Sequence, residues 1–260
     1  MRTEIKKLAI ETARKAGGIL KDNLGRRNTV EFKGAIDLVT EVDRLSEDFI
    51  KDEIEKAFPG HGILAEESPE KVRESPYKWI IDPLDGTTNF SHGFPFFCVS
   101  IAFEEHRKVT LGVVYDPMLD ELFTAEEGQG AFLNGERIRV SGTDSLDKSL
   151  LATGFPYDLR SSKDNNIDHF TSFSMAAQAI RRAGSAALDL CYTASGRFDG
   201  YWEMKLRPWD VAAGALIVAE AGGTLTDFHG GPFSIYGREC LASNGLVHGR
   251  MARILSKEEQ

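Results

Sequence analysis

The sequence predicts an α+β chain, with antiparallel strands dominating its first half and alternating strands and helices its second. Three observations predict it. Two stretches near the start carry apolar residues at helical spacing. Across residues 96–140 the segments FFCVSIAF, VTLGVVY, ELFTAEE and GAFLNGERIRV are separated only by the turn-forming pieces HRK, DPMLD, EEGQG and NGE, the pattern of hairpin-linked strands. From residue 150 onward strand-like and helix-like segments alternate, the pattern of an α/β unit.

Residues 3–23 place Ile5, Leu8, Ala9, Ala16, Ile19 and Leu20 on one helical face. A short extended piece at 29–33 leads to Gly34. Thr40, with Asp43 three residues on, resembles a capping box. Val42, Leu45, Phe49, Ile50, Ile54 and Ala57 mark the apolar face of the helix that follows, and Pro59-Gly60 stops it. Residues 63–66 and 79–81 read as short core strands. Beyond the hairpins, SGTDSLDKS (141–149) is the expected boundary between a unit of residues 1–141 and a unit of residues 142–260. In the second unit LLATGF is a strand, 167–183 a helix, SAALDLCYTASG a helix and FDGYWE a strand. A helix over 208–221 has Pro208 in its first turn and Gly222-Gly223 as its stop. TLTDF, ECLASN and a helix from residue 245 complete the chain.

With 260 residues, 42% hydrophobic and 27% charged, the chain can bury a substantial core as one large domain or two closely packed ones. Subtracting 40 acidic from 31 basic residues leaves a net charge of −9. That sign argues against nucleic acid as a main partner. No apolar run approaches the length of a membrane span, and the basic start lacks a continuous apolar core. Neither membrane association nor a signal peptide is therefore expected. Cys98, Cys191 and Cys240 are odd in number and widely spaced without a CxxC. Free thiols in a reducing cytoplasm are the expected reading.

The chemistry concentrates in WIIDPLDGTTNF, residues 79–90. An apolar strand there ends on two acids, Asp82 and Asp85, with no cation in the motif. Pro83 biases Asp82 away from helical geometry. Gly86 permits a tight turn, and Thr87 or Thr88 suits a helix start, whose N–H groups attract anions. Acids beside an anion site repel the anion unless a cation bridges them. A hard divalent metal on carboxylate oxygens is the economical solution, and the lack of His or Cys in the motif argues against zinc. Glu66 and Glu67 in ILAEES, and Asp210 in RPWDVAAG, are the acids best placed to join them. Each also has a plain reading, as a charged strand end or as a complement to the helix dipole.

WIIDPLDGTTNF and PWDVAAGALIVAEAGG resemble the two signature motifs of the inositol monophosphatase family, and AEES, DLVTEVD and GRFDGYWE resemble its other motifs in the expected order. The resemblance spans nearly the whole chain. It implies a layered αβαβα sandwich of the sugar-phosphatase type, a homodimer, Mg2+ as cofactor with two to three ions per site, and sensitivity to lithium. By resemblance Glu66, Asp82 and the Leu84 carbonyl hold the first Mg2+. Asp82, Asp85 and Asp210 hold the second, and Glu66 with waters a weaker third. Gly86, Thr87 and Thr88 meet the phosphate. Thr87, partnered by Asp43, orients the attacking water. Glu203, with Gly184, Ser185, Ala186 and Asp210, lines the substrate pocket. Lys33 is expected on a loop near the third metal. The implied chemistry is attack by metal-activated water with charge stabilisation of the departing alkoxide and no covalent intermediate.

The resulting expectation is Mg2+-dependent hydrolysis of inositol-1-phosphate and related sugar or polyol monoesters. A fructose-1,6-bisphosphatase or dual-activity enzyme is the main alternative. Histidinol-phosphate or 3′-phosphonucleotide hydrolysis and a non-catalytic interaction protein on the same fold stand behind it. Lys205 and Arg207 are read as surface charge rather than as ligands of a second phosphate. The apolar residues between Phe94 and Val114 are read as core or as a homodimer interface.

Overall fold

The structure, a computed structural model, describes residues 2–26, 30–32 and 38–256. Helix α1 (Arg2–Asn23) buries Ile5, Ala9, Ala13, Ala16 and Leu20 along one side. After the short antiparallel pair β1 (Val30–Phe32) and β2 (Leu38–Thr40) comes α2 (Glu41–Ala57). It starts on the capping box that the sequence predicts. Thr40 Oγ1 accepts from the Val42 and Asp43 N–H groups, and Asp43 takes the Thr40 N–H in return. Lys33 lies outside the described residues.

Seven strands form the first sheet, ordered as in the chain: β3 (Gly62–Ala65), β4 (Tyr77–Asp85), β5 (Cys98–Glu105), β6 (Lys108–Asp116), β7 (Glu121–Glu126), β8 (Gly130–Leu133) and β9 (Glu136–Arg137). β3 and β4 are parallel, and the remaining neighbours are antiparallel. The turns fall where the sequence places them, with Arg107, Asp120 and Asn134 at positive φ. The short helix α3 (Thr87–Ser91) separates β4 from β5. Strand β4 is longer than its apolar run suggests, continuing through Pro83 to Asp85.

The second sheet comprises β10 (Leu150–Thr153), β11 (Ala179–Arg181), β12 (Gly200–Met204), β13 (Thr224–Thr226) and β14 (Glu239–Ser243), in the order β11-β10-β12-β14-β13. β10 runs parallel to β11 and β12, whereas β14 is antiparallel to both its neighbours. Helices α4 (Ile167–Ala176), α5 (Ala186–Ala194), α6 (Pro208–Glu220) and α7 (His248–Leu255) connect these strands or follow them. The helix expected over 167–183 stops early. Ala177 is extended, the Gln178 and Ala179 N–H groups turn to the Ser149 carbonyl, and the remainder becomes edge strand β11. Tertiary hydrogen bonding there overrides local propensity. Helix α7 starts three residues later than expected, because Asn244 Oδ1 accepts the Leu246 and Val247 N–H groups in a turn ahead of it.

Burial sorts these elements into five layers. On β4, Trp79 and Ile81 face α1 and α2, while Ile80 faces the opposite way into a second cluster. Both faces of the strand are covered, which explains its unbroken apolar run. The second cluster joins Val114 and Phe123 of the first sheet, Ala187, Leu190, Ala213 and Ile217 of α5 and α6, and Tyr201 and Ala242 of the second sheet. Phe173 of α4 and Met251 of α7 cover the far side with Leu151, Trp202 and Leu241. The order is thus αβαβα. Phe97, Val99, Ile101 and Phe103 are buried inside this one chain, so most of the apolar segment that suggested a subunit interface is already core; Phe94, 54% exposed, is the exception.

Strand β6 meets α6 at Gly112. A Cβ there would stand 2.7 Å from the Ala213 carbonyl oxygen and 3.1 Å from its Cα, and backbone cannot swing aside. Gly112→Ala is expected to cost about 1–3 kcal/mol through overpacking. A lower urea midpoint at constant slope is the readout, and an unchanged midpoint would mean that sheet and helix separate without penalty.

Candidate active site

The site begins at an irregularity in β4. Pro83 has no N–H to give to the ladder, and the register against β5 shifts between Asp82, opposite Ser100, and Asp85, opposite Cys98. Ser46 Oγ holds the Pro83 carbonyl at 2.9 Å, and the Leu84 N–H folds back on Asp82 Oδ1 at 3.1 Å. This bulge aims both acids toward one cavity. Gly86 follows at φ 103°, where a Cβ would also press on the Phe96 carbonyl oxygen at 3.0 Å. Only glycine fits a chain that turns left-handed against a neighbouring backbone. Helix α3 starts directly after it, and first-turn N–H groups have no partner inside a helix.

Thr87 Oγ1 lies 2.9 Å from Asp43 Oδ1 and 3.1 Å from the Leu84 carbonyl oxygen; its single proton serves one of them at a time. Burial pushes the Asp43 carboxyl up, and hydrogen bonds from Thr40 and then Thr87 partly offset this. Asp85 is tied across to α5. Its Oδ2 accepts from Ser185 Oγ at 2.6 Å and from the Ala187 N–H at 2.7 Å, and Ser185 also caps that helix. Asn89 Nδ2 makes a second tie, donating to the carbonyls of Phe96 and Ala183 at 2.7 and 2.8 Å. Asp210, in the first turn of α6, accepts the Arg207 N–H on Oδ2 at 2.6 Å. The Glu67 N–H donates to Glu47 Oε2 at 2.7 Å, fixing the turn that carries Glu66.

These groups line one cavity of about 540 Å3. Of the residues singled out in the sequence, Glu66, Asp82, Leu84, Asp85 and Asp210 reach its wall, as do Gly86, Thr87 and Thr88. So do Gly184, Ser185, Ala186 and Glu203. Asp43 stands behind Thr87 rather than on the wall. Burial and then the charges of Glu66, Asp85 and Asp210 push the Asp82 carboxyl well above its usual range. Asp210 is raised likewise by burial and by Glu66, and Asp85 by burial against the lowering effect of Ser185. The donors are all hard oxygens, which suits a small divalent cation rather than zinc. Among the described residues no three His, Cys, Asp or Glu side chains draw together tightly enough to hold a metal as they stand. The fit therefore rests on donor chemistry and on the mutual repulsion of four acids around shared space, not on a closed cage.

Glu203, on β12, accepts from the Tyr201 hydroxyl at 2.7 Å, and burial raises its carboxyl to about 7. Gly154 makes room for it, since a Cβ there would overlap the Glu203 carboxylate. No sequence pattern signalled that role. Lys205 is engaged by Asp158 at 2.7 Å and Ser162 Oγ at 3.0 Å rather than standing as loose surface charge, while Arg182 and Arg207 also line the cavity. Asp189 on α5 lines it too and was not singled out, although a lone acid inside SAALDLCYTASG was a visible signal.

The cavity thus sets four acids beside the start of α3, with the further carboxylate of Glu203 on its wall. The inositol monophosphatase family matches residues 1–260. A Synechocystis protein named inositol-1-monophosphatase is 45% identical over 255 residues, 97% of this chain and 89% of its own. An Escherichia coli K12 protein named Nus factor SuhB is 48% identical over 243 residues, 92% of this chain and 91% of its own. The solved inositol monophosphatase from Anabaena (Nostoc) sp. PCC 7120 superimposes with a TM-score of 0.90 at 43% identity, covering 99% of this chain and 97% of that one. This chain belongs to the inositol monophosphatase family.

A carboxyl whose folded pKa exceeds its unfolded one holds its proton more tightly when folded. Stability is then full below the unfolded value and lost as pH rises through the folded one. In excess chelator the melting temperature is expected to fall as pH rises from 4.5 to about 7, the interval over which Glu203 titrates late. Glu203→Gln, which cannot ionise, should flatten that fall and raise the melting temperature at neutral pH. A variant whose melting temperature fell as steeply as wild type would show that Glu203 does not hold its proton in the folded chain.

Proposed function

We propose that the chain hydrolyses inositol-1-phosphate and related sugar or polyol phosphate monoesters with Mg2+ as its cation. The observation that carries this is the meeting in one cavity of Glu66, Asp82, Asp85 and Asp210 with residues 86–88 and Glu203. Glu66, Asp82 and the Leu84 carbonyl are the proposed ligands of one ion, Asp82, Asp85 and Asp210 of another, and Glu66 of a third. Bound there, Mg2+ supplies positive charge to the phosphate dianion and the departing alkoxide, and acidifies water.

The chain's own groups do the positioning. Backbone N–H groups of Gly86, Thr87 and Thr88 hold phosphate oxygens. Thr87 Oγ1 orients the attacking water and relays its proton toward Asp43, whose raised pKa suits it to accept one. Ser185 and the Ala187 N–H keep Asp85 from rotating. Glu203 Oε2 is held by Tyr201, leaving Oε1 to accept a substrate hydroxyl.

The family resemblance supports a cytoplasmic homodimer inhibited by lithium. Two other readings have specific motives. Arg182 and Arg207 on the cavity wall offer charge for a second phosphate, as fructose-1,6-bisphosphate would need. The name of the Escherichia coli relative motivates a regulatory interaction protein on this fold.

Phosphate release with Mg2+ from inositol-1-phosphate, fructose-1,6-bisphosphate, 3′-phosphoadenosine-5′-phosphate and histidinol phosphate separates these readings. Turnover should vanish in excess chelator and return with Mg2+. Asp85→Asn should abolish it on every substrate. Full turnover in chelator, or a near-normal Asp85→Asn enzyme, would end the metal reading, and no release from any ester would favour the interaction protein.

Glu203→Gln should act on recognition alone. Loss of a charge-assisted hydrogen bond is worth about 1.5–3 kcal/mol, roughly ten- to a hundredfold in kcat/KM. That loss is expected with inositol-1-phosphate and not with an aryl phosphate. Equal loss on both would place Glu203 in the catalytic machinery.

A further inference from the structure

Helix α5 carries a single acid in an otherwise apolar run, Asp189 between Leu188 and Leu190. Asp189 is 1% exposed, and its Oδ1 is sealed from solvent without a hydrogen-bond partner. Polar atoms that deeply buried are ordinarily hydrogen-bonded, because leaving one unpaired is costly. The fold makes no use of this carboxyl. Ser185 caps α5, Asp85 receives the Ala187 N–H, and Asp189 is engaged through its backbone, its N–H donating to the Ser185 carbonyl at 3.0 Å and its carbonyl accepting from Thr193 Oγ1 at 2.9 Å. Nor is Asp189 among the proposed cation ligands.

What Asp189 does share is the cavity wall with Glu203. The Glu203 charge acts on Asp189, and both acids feel Arg182, which lines the same space. Glu203 is half committed, with Oε2 taken by the Tyr201 hydroxyl. A polyol with neighbouring hydroxyls brings more donors than the remaining oxygen accepts. A second carboxyl with no donor of its own is the complement of such a substrate.

We infer that Asp189 is a further specificity-determining residue, a second hydroxyl acceptor that works beside Glu203 to select substrates bearing adjacent hydroxyl groups. This rests on the phosphatase reading above. Selection arises because a substrate lacking the second hydroxyl leaves a buried carboxyl unpaired, which is how a hydrogen-bonding site rejects an analogue.

Steady-state kinetics of the Mg2+-loaded full chain, with inositol-1-phosphate and with 4-nitrophenyl phosphate, test this on wild type, Asp189→Asn and Asp189→Ala. Asp189→Ala should lower kcat/KM for inositol-1-phosphate by about ten- to a hundredfold, mainly through KM. The aryl ester should change by less than about threefold. Asp189→Asn keeps one carbonyl acceptor at unchanged volume and should fall between, so the result stands even if the alanine variant folds poorly. Equal loss on both substrates in Asp189→Asn would assign the residue to the fold or the cation site, and unchanged kinetics on inositol-1-phosphate would make it a passive buried acid. Either outcome overturns the inference alone. A wild-type enzyme that cleaves the aryl ester but not inositol-1-phosphate would overturn the substrate reading beneath it, and that is read before any variant.

Discussion

Asp82, Asp85, Asp210 and Glu66 bring like charge into a space where burial already disfavours ionisation, and the architecture keeps them from swinging apart. Each restraint is local and different. A bulge around Pro83 fixes Asp82, the N-terminal turn of α5 grips Asp85, and the capping geometry of α6 holds Asp210. Glu66 sits in a turn anchored by Glu47. Repulsion among these acids is a standing cost of the site, and the surrounding hydrogen bonds and packing offset it.

The layered arrangement explains how one cavity gathers residues from distant parts of the chain. α5 and α6 lie between the two sheets, in the cluster that both sheets share. Their N-terminal ends open on the cavity, beside the end of β4. Glu203 arrives from the second sheet on β12, next to the gap left by Gly154. Asn89 and Asp85 reach from the first half of the chain to residues 183–187 of the second. The site is a seam, and contacts across it are polar where the core behind it is apolar.

Much of this was legible in the sequence because it is encoded locally. The Thr40–Asp43 capping box, the turns of the first sheet and the strand ending in DPLDG each depend on a few adjacent residues, and each is present. What escaped depends on distant neighbours. β11 exists because β10 offers an edge, and nothing in the helical pattern of 167–183 records that. Gly154 matters only because Glu203 lies against it. The apolar run before Val114 was open to two readings, core or subunit interface, because sequence does not reveal that α1, α2, α5 and α6 cover it on two sides. The convergence of Glu66 with Asp210 is likewise a property of the five layers, legible only through resemblance.

The single-oxygen anchoring of the three aspartates bears on denticity. Asp82 commits Oδ1 to the Leu84 N–H, Asp85 commits Oδ2 to Ser185 and Ala187, and Asp210 commits Oδ2 to the Arg207 N–H. Each carboxylate keeps one oxygen outside these bonds, and the anchored oxygens of Asp82 and Asp210, with a single donor each, still have a lone pair to offer. A cation would therefore meet acids whose orientation is already fixed, and a one-oxygen contact would require no side chain to turn.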